Sequence, residues 1–397
     1  MGNRISFGQM STQIMDRLFA NYSKLEGIQN QLSTGKKINK SSDNPIGTSQ
    51  SMDLRSEVDQ FTNFQRNIVD GLAYLGTVDS TLSTGNNLYQ NLRERAIQAA
   101  SDSNSAESRS YIGKECRAIF DQMVALANTS FKNEYIFSGT NSQVPPYEVR
   151  NGASHIVPAP GALSGDMTLT AGLLGTPLQI VDKNVDDSKD TVTFDANAYQ
   201  LIPGTVKVNG LKEGTDFTVD YVKGTLTFTA PGANALAMAG GASGIDMSYN
   251  WLRRNEKNLD GPLNREIEEG VSAKINTTAT DAFGSTQESN SWEAMINLLE
   301  GTLNNKPDKI VASVDKIDLA LKRELGAQST NGSRVQRLES TQTRNDDRIV
   351  YTSQLQSNTE DVDFAQAISD YNLQSTIYDA SLKMGARAMQ NTLMNFI

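Results

Sequence analysis

The chain has 397 residues, 38% of them hydrophobic and 21% charged, which is enough to build two or three folded domains. A net charge of −10 argues against a general nucleic-acid binder, and no apolar run is long enough for a transmembrane helix. The single cysteine, Cys116, excludes internal disulfides, and with the single histidine, His155, it leaves almost nothing for Cys–His catalysis or metal ligation.

The first predicted element is a helix with a coiled-coil seam. Its apolar residues recur in alternating four- and three-residue steps, and Asn21 fills the one missing position. The N-terminus lacks the apolar core and cleavage site of a secretory signal peptide, so we expect a cytoplasmic protein or an unusual export route. The seam comprises Ile14, Leu18, Leu25, Ile28 and Leu32.

The segment QLSTGKKINKSSDNPIG at 31–47 admits two interpretations. A phosphate-binding loop is disfavoured, because Asn30 and Lys37 stand where the motif needs glycine and Ser or Thr. A turn between helices is favoured: Gly35 ends the first helix, and Asn44 caps the next, with Pro45 at its first position. The basic side chains could contact an acidic surface or only face solvent; they belong to Lys36, Lys37 and Lys40.

Two more helices are predicted before the middle of the chain. One runs on from Pro45, and another should extend from about Ala106 to Phe131. The apolar positions of the first are Leu54, Val58, Phe61, Ile68, Leu72, Leu75, Val78, Leu82, Tyr89 and Leu92, and those of the second are Ile112, Ile119, Met123 and Leu126.

The middle of the chain is predicted to be β structure. Apart from Pro45 and Pro307, every proline lies between 145 and 262, where glycine is also dense. Alternating stretches beside turn residues indicate strands at 205–208, 217–221 and 225–229, with Asn209-Gly210 as a hairpin turn. Weaker strand candidates lie at 167–169 and 192–194.

Three helices are predicted after the middle region. Trp292, Met295 and Leu299 mark a short helix, and a long one starts near Ile310 and runs towards Leu355. The last helix is apolar on two faces, so it must lie between neighbours or stay exposed until partners arrive. The long helix carries Ile310, Val314, Ile317, Leu321, Leu325, Val335 and Leu338; the two faces of the last are Phe364, Ile368, Tyr371, Tyr378, Leu382 and Met389, and Leu373, Ile377, Ala380 and Met384.

The helix–sheet–helix order predicts an α+β fold. We expect a long antiparallel coiled-coil stalk made of both chain ends, with an inserted, mainly β domain. The predicted divisions are terminal assembly segments at 1–45 and 358–397, stalk halves at 46–140 and 286–357, and the β-rich domain at 141–285.

Candidate chemical sites are weak. Asp182, Asn184 and Asp186 match the start of a calcium loop, but Asp187 and Thr193 stand where glycine and glutamate are required. We interpret His155 as an ordinary loop residue and Cys116 as a small buried or half-buried side chain. No active site assembles, and we expect no enzyme, no cofactor and no metal.

Three motifs at the two ends of the chain resemble one family. LSTGKKIN at 32–39 followed by SDNPIG at 42–47 resembles the N-terminal signature of bacterial flagellins and their relatives. LGAQ at 325–328, with Arg334, Arg337 and Leu338, resembles the C-terminal counterpart, and EDVDFA at 360–365 resembles the turn before the last helix. The resemblance covers about 1–140 and 286–397. Within the family, the start, the YIFSGT stretch at 135–140 and the ending MNFI are more similar to the junction branch than to filament subunits; Ile46, where alanine is common, and the extra Gly2-Asn3 depart from the pattern.

The resemblance implies an extracellular structural part of the flagellum at the hook–filament junction, with a filament subunit as the alternative. It implies a ring of copies, contacts with a neighbouring hook-associated protein and flagellin, and export through the flagellar type III apparatus without a cleavable signal. It further implies a cytoplasmic export chaperone on 362–397, and no nucleic acid or membrane insertion. The predicted subunit contacts are the seam of the first helix, Gly35, Lys36, Lys37, Asn44 and Pro45, and in the last helix Phe364, Ile368, Tyr371, Ile377, Tyr378, Leu382 and Met389.

Overall fold

The computed structural model describes residues 7–156, 178–179, 199–208, 210–222, 225–228, 245–254, 259–284 and 290–394. Long helices lie at both ends of the chain and short strands lie between them, which confirms the α+β prediction. The helices are α1 (Phe7–Thr34), α2 (Pro45–Ala100), α3 (Ala106–Ala127), α4 (Ala279–Phe283), α5 (Ser291–Leu303), α6 (Pro307–Glu360) and α7 (Phe364–Met394).

The strands form small antiparallel sheets. β3 pairs with β9 over ten residues, β5 and β6 also pair with β9, β8 pairs with β4 and β7, and two hairpins join β1 to β2 and β10 to β11. Their bounds are β1 (Ser130–Phe131), β2 (Glu134–Tyr135), β3 (Tyr147–Ile156), β4 (Leu178–Gln179), β5 (Tyr199–Leu201), β6 (Lys207–Val208), β7 (Phe217–Asp220), β8 (Thr225–Phe228), β9 (Ile245–Arg254), β10 (Asn264–Glu268) and β11 (Val271–Lys274).

The strands agree with the sequence predictions in part. β6, β7 and β8 confirm the predicted strands, although each is shorter than expected. The ten-residue pair β3–β9 was not predicted, because glycine and polar residues interrupt its alternation. His155 was wrongly placed in a loop: it lies in β3, opposite Asp246 of β9. The weaker candidates at 167–169 and 192–194 and the rejected calcium loop lie outside the described residues.

The chain divides into two compact units. The terminal unit combines residues 1–66 with 341–397, and the central unit comprises 67–340. The two boundaries between the units fall inside the long helices α2 and α6, so each of these helices contributes one part to each unit. The five-part division drawn from the sequence follows element types instead, and it stays a proposal.

The terminal unit consists of two antiparallel helix pairs. α1 packs along α7, and the start of α2 packs along the end of α6. In the second pair, the buried Asn345 side chain donates from Nδ2 to the carbonyl oxygen of Phe61 at 3.1 Å. The guanidinium of Arg348 lies over the Phe61 ring, 5.7 Å from its centroid. The antiparallel pairing of helices from both chain ends is thereby confirmed.

In the central unit, every seventh residue of α6 is buried, and this heptad stripe packs against α2. A strict heptad keeps one stripe of a helix facing its partner. Polar side chains occupy part of the stripe, and Asn331 donates from Nδ2 to the carbonyl oxygen of Leu75 at 3.0 Å. The prediction put Leu325 on the apolar face, but its side chain is 46% exposed. The buried position seven residues after Ile317 is taken by Glu324, and Leu325 lies next to it outside the stripe. The fully or almost fully buried repeat is Ile310, Ile317, Glu324, Asn331 and Leu338.

The core of the central unit lies where α3 and α5 pack together beside the β region. Aromatic rings meet edge to face there: the Phe120 and Trp292 centroids are 5.8 Å apart, and those of Phe137 and Phe283 are 5.3 Å apart. Cys116 is buried in this core, as predicted, and burial raises its thiol pKa to about 12. This thiol is therefore protonated and inert near neutral pH.

Helix α3 begins at Ala106 as predicted but ends four residues early. Ser105 caps its N-terminus by accepting a hydrogen bond from the Ser108 backbone N–H. Asn128 ends it, because this side chain bonds both the N–H and the carbonyl oxygen of Tyr147 at the start of β3. In the described part of the chain, no helix is both long and apolar enough to cross a membrane.

Candidate functional site: the Glu360 clasp and the terminal helix pair

The loop after α1 is a structured turn, as the second interpretation of 31–47 predicted. Gly35 has φ +72°, and its N–H donates to the carbonyl oxygen of Gln31 at 2.9 Å, which ends α1. Asn44 accepts a hydrogen bond from the Gly47 N–H at 3.0 Å, and α2 begins at Pro45. Lys37 and Lys40 are exposed. The local sequence therefore sets where the two helices stop and start.

The backbone of this loop pairs with the segment that joins α6 to α7. The Lys37 N–H donates to the carbonyl oxygen of Glu360 at 2.6 Å, and the Val362 N–H donates to the carbonyl oxygen of Gly35 at 3.0 Å. Lys36 and Asp361 form an isolated antiparallel bridge between them. We call this two-stranded contact, residues 35–37 with 360–362, the clasp. It joins segments more than 300 residues apart in the sequence.

A buried carboxylate reinforces the clasp. Glu360 accepts hydrogen bonds from Lys36 Nζ at 2.5 Å and Arg55 Nη2 at 2.8 Å, and also from Ser51 Oγ. Gln356, one turn earlier on α6, donates to it at 3.3 Å. The Glu360 side chain is 5% exposed, whereas those of Lys36 and Arg55 are about half exposed.

The charge state of Glu360 follows from these contacts. Burial alone would raise the pKa of its carboxyl, but the hydrogen bonds from Lys36 and Gln356 and the charges of Lys36 and Arg55 outweigh burial and lower it. The group is thus ionised near neutral pH, and it ties the first loop, the first turns of α2 and the end of α6 together. Charge-assisted hydrogen bonds of this kind are strong, and removal of a donor would leave a buried charge less well satisfied.

The strip along which α7 meets α1 combines small residues, polar residues and two tyrosines. Asn21 of α1 donates to Ser381 Oγ at 3.1 Å, and Gln374 donates to the Asn21 carbonyl oxygen at 3.3 Å. A β-carbon at Gly385 would lie 3.2 Å from Cγ2 of Ile14, so this glycine allows close approach of the helices. The buried or half-buried strip of α7 is Ala367, Tyr371, Gln374, Tyr378, Ser381 and Gly385.

The large aliphatic residues of the two predicted apolar faces of α7, with Phe364, lie on either side of this strip and stay exposed, whereas Tyr371 and Tyr378 of the first face lie within the strip. On one side Phe364 is 53% exposed and Leu382 43%, and on the other Leu373 is 62% exposed and Met384 68%. α1 likewise exposes Phe19 at 65%. Within the described residues, α1 covers the tyrosines of the first face only, so the exposed side chains of both faces remain available to another molecule.

The predicted contact residues fall into three groups. The seam of α1 and the tyrosines of α7 take part in the intrachain pairing: Ile14, Leu18, Leu25, Ile28, Leu32, Tyr371 and Tyr378 are all half-buried. The exposed faces hold Phe364, Ile368, Ile377 and Leu382. The clasp and cap hold Gly35, Lys36, Lys37, Asn44 and Pro45. The side chain of Met389 lies outside the described residues.

Sequence reasoning missed Glu360, Ser51 and Arg55. Glu360 opens the acidic stretch EDVD between two predicted helices, and an acidic partner was one of the two interpretations of the lysines at 36–40. That signal was present, but nothing local indicates that residues 36 and 360 meet. No cluster of three or more potential metal ligands occurs among the residues that the structure describes.

Two family models match the chain. The bacterial flagellin N-terminal helical region matches residues 5–142, and the bacterial flagellin C-terminal helical region matches residues 314–397. Together they account for more than half of the chain, and they contain the clasp and the terminal helix pair.

Individual relatives agree with the models. The chain is 21% identical to a flagellin from Clostridium tyrobutyricum over 98% of this chain and 99% of that protein. It is 27% identical to flagellar hook-associated protein 3 from Salmonella typhimurium over 38% of this chain and 48% of that protein. A solved structure described as a flagellar hook-associated protein from Vibrio parahaemolyticus has the same fold, with a TM-score of 0.50, 12% identity, and coverage of 80% of this chain and 100% of that one.

Proposed function

The chain belongs to the bacterial flagellin family, and on that premise we propose that it is a structural adaptor at the junction between flagellar hook and filament. It polymerises through α1 and α7, whose coiled-coil pairing presents apolar faces to neighbouring subunits. The proposal includes no catalytic activity and no cofactor: the chain has one histidine, and its one cysteine is buried.

The observation that carries the proposal is the pair of exposed apolar faces beside the α1–α7 contact strip. A helix apolar on both sides is unfavourable in water, whereas in a polymer neighbouring copies bury both sides. Each large apolar side chain that becomes fully buried contributes about 1.5–3 kcal/mol. Several such residues per copy supply a strong and non-directional contribution to assembly, which suits a part that must adapt one helical lattice to another.

The relatives support two positions in the flagellum. Similarity to hook-associated protein 3 supports the junction, although it covers 48% of that relative. The alternative is a flagellin-type filament subunit, which the match to the Clostridium flagellin along almost the whole chain favours. The two functions share the fold and the assembly surfaces, and they differ in copy number and location.

The proposed partners follow from the junction position. Copies of this chain form a ring, with a neighbouring hook-associated protein on one side and flagellin on the other. Before assembly, an export chaperone covers the apolar faces of 362–397, and the chain leaves the cell unfolded through the flagellar type III apparatus. In the polymer, the exposed Lys37 and Lys40 of the loop at 33–47 contact neighbouring subunits.

Immunogold electron microscopy of whole cells, with antibody against residues 150–280, tests this proposal. A single labelled band where hook meets filament is the expected result. Label along the entire filament would establish the filament subunit instead. A flagellum without label would contradict both.

A further inference from the structure

A basic groove opens on the surface of the central unit. It has a volume of about 390 Å³, and three cationic side chains and one carboxylate line it, which leaves a positive excess on a chain whose net charge is −10. The cations belong to Lys274, Arg323 and Arg334, and the carboxylate to Asp281.

One side of the groove's lining comes from α6. Gly326 and Thr330 lie one turn apart there, and a β-carbon on Gly326 would meet no atom within 4 Å. Arg334 is held in place by donating to the carbonyl oxygen of Asn276 at 2.7 Å, which is a neutral acceptor. Lys274 lies 3.4 Å from Asp281. A fixed guanidinium above small residues is suited to binding a carboxylate.

The same surface carries an acidic projection. The hairpin β10–β11 turns at residues 268–271, where Gly270 has φ +67°. The carboxylates of Glu266 and Glu269 are exposed beside this turn. Buried Ile267, packed with Ile68 and Leu338, holds the hairpin rigidly on the helices.

The tip and the groove cannot meet within one molecule. Lys274 lies at the base of the hairpin, opposite Asn264, three residues from the turn. At about 3.4 Å per residue, the acidic tip stands about 10 Å away from the lysine, and the paired strands prevent it from folding back. Two complementary surfaces on one chain that cannot reach each other can pair between copies.

We propose that the acidic tip of the β10–β11 hairpin of one copy binds in the Lys274–Arg323–Arg334 groove of the next copy. The proposal rests on the assembly function proposed above and names one subunit contact within it. The pairing is head-to-tail, one tip into the next groove, so its repetition closes a ring or continues along a helix, whereas reciprocal pairing would stop at a dimer. It also offsets the mutual repulsion of strongly acidic copies, since opposite charges face each other at the contact.

Cysteine cross-linking on isolated flagella tests the contact. The buried Cys116 gives no background, so Glu269→Cys combined with Thr330→Cys places one thiol on the tip and one in the groove. Mild oxidation should yield a ladder of dimers and larger multimers of this chain on a non-reducing gel. The matched control is Glu269→Cys with Lys322→Cys, which lies on the same helix outside the groove and should stay monomeric.

Three results would overturn the contact: monomers only, the same ladder from the control, or a product joined to a different protein. An immunoblot of the same flagella separates the two proposals. A chain present without a ladder contradicts the groove contact alone, whereas a chain absent from the flagella overturns both.

Charge reversal gives a second test. Arg323→Glu should lower the amount of chain in flagella about tenfold, because like charges then face each other across the contact. Adding Glu269→Lys to the same chain should restore assembly, and Lys322→Glu should have no effect. Failure of the double variant to restore assembly, while its thermal unfolding matches wild type, would contradict the pairing.

Discussion

In the central unit, the carboxyl group of Glu324 on α6 lies against the backbone of Gly85 on α2, in the space that a β-carbon would occupy: such an atom would lie 2.8 Å from Cδ of Glu324. Glu324 is completely buried, and neither of its oxygens has a hydrogen-bond partner among the described residues. Burial raises its pKa to about 8, so the side chain is mainly a neutral acid at pH 7.

Gly85→Ala should destabilise the chain, because the new methyl group overlaps the Glu324 carboxyl. Overpacking of this kind costs about 1–3 kcal/mol, which exceeds the roughly 0.5–1 kcal/mol that alanine gains over glycine in a helix. Gly76→Ala is the matched control on the same helix: nothing lies within 4 Å of its β-carbon, so it should stabilise. Chemical denaturation of the full chain measures both. Stabilisation by both variants would contradict the close contact.

Glu324→Gln should remove part of the pH dependence of stability. The unfolded chain releases the Glu324 proton near pH 4.5 and the folded chain near pH 8, so between these values the folded state binds more protons. Stability therefore falls as pH rises through this window, by about 1.4 kcal/mol per unit, and levels off above it. Melting temperatures between pH 5 and 9 should show a flatter profile for the variant. An unchanged slope would mean that Glu324 is solvated.

Glu360→Gln should loosen the clasp. The carboxylate loses its charge-assisted bonds to Lys36 and Arg55, worth about 1–2 kcal/mol because both partners are half exposed. Amide exchange at Lys37 and Val362, whose N–H groups close the clasp, should accelerate about tenfold.

The control for the clasp is Asp361→Asn, which changes the exposed neighbouring carboxylate. Since the folded-state pKa of Glu360 lies below its usual value of 4.5, the stability that the carboxylate contributes is present above that pH and is lost as acid protonates the group in the folded chain. Equal exchange in both variants would show that backbone pairing alone holds the loop.

Leu382→Asp and Leu25→Asp should both prevent incorporation into flagella, for different reasons. Leu382 is 43% exposed, so its substitution leaves the α1–α7 pairing intact and places a charge on a surface that a neighbour must bury. Leu25 is half-buried in the seam of α1, so its substitution should also reduce helix content at the ends. Circular dichroism distinguishes the two variants, and Lys383→Asp is the control. Normal incorporation of Leu382→Asp would remove its face from the assembly surface.

The local features of this protein could be predicted from the sequence. The ends of helices depend on residues within about one turn of the end. Gly35, in the left-handed conformation, ends α1, and Asn44 and Pro45 begin α2. Short apolar strands such as β7 and β8 were also predicted. The β3–β9 pair was not, because its stability comes from partners a hundred residues apart and from no local alternation.

The sequence by itself determined the two-ended helical organisation, the apolar faces of the last helix and the family, since periodicity and motifs are properties of neighbouring residues. Only the tertiary structure decided which residues meet across those helices. It placed the small and polar residues of α7, with two tyrosines of one predicted face, against α1; it buried Glu324 in place of Leu325; and it brought Glu360 to Lys36 across 324 residues. The spacing of residues along a helix shows which side chains lie on the same face. Whether that face is buried, and which charges pair across it, depends on the segment that packs against it, and that segment lies elsewhere in the chain.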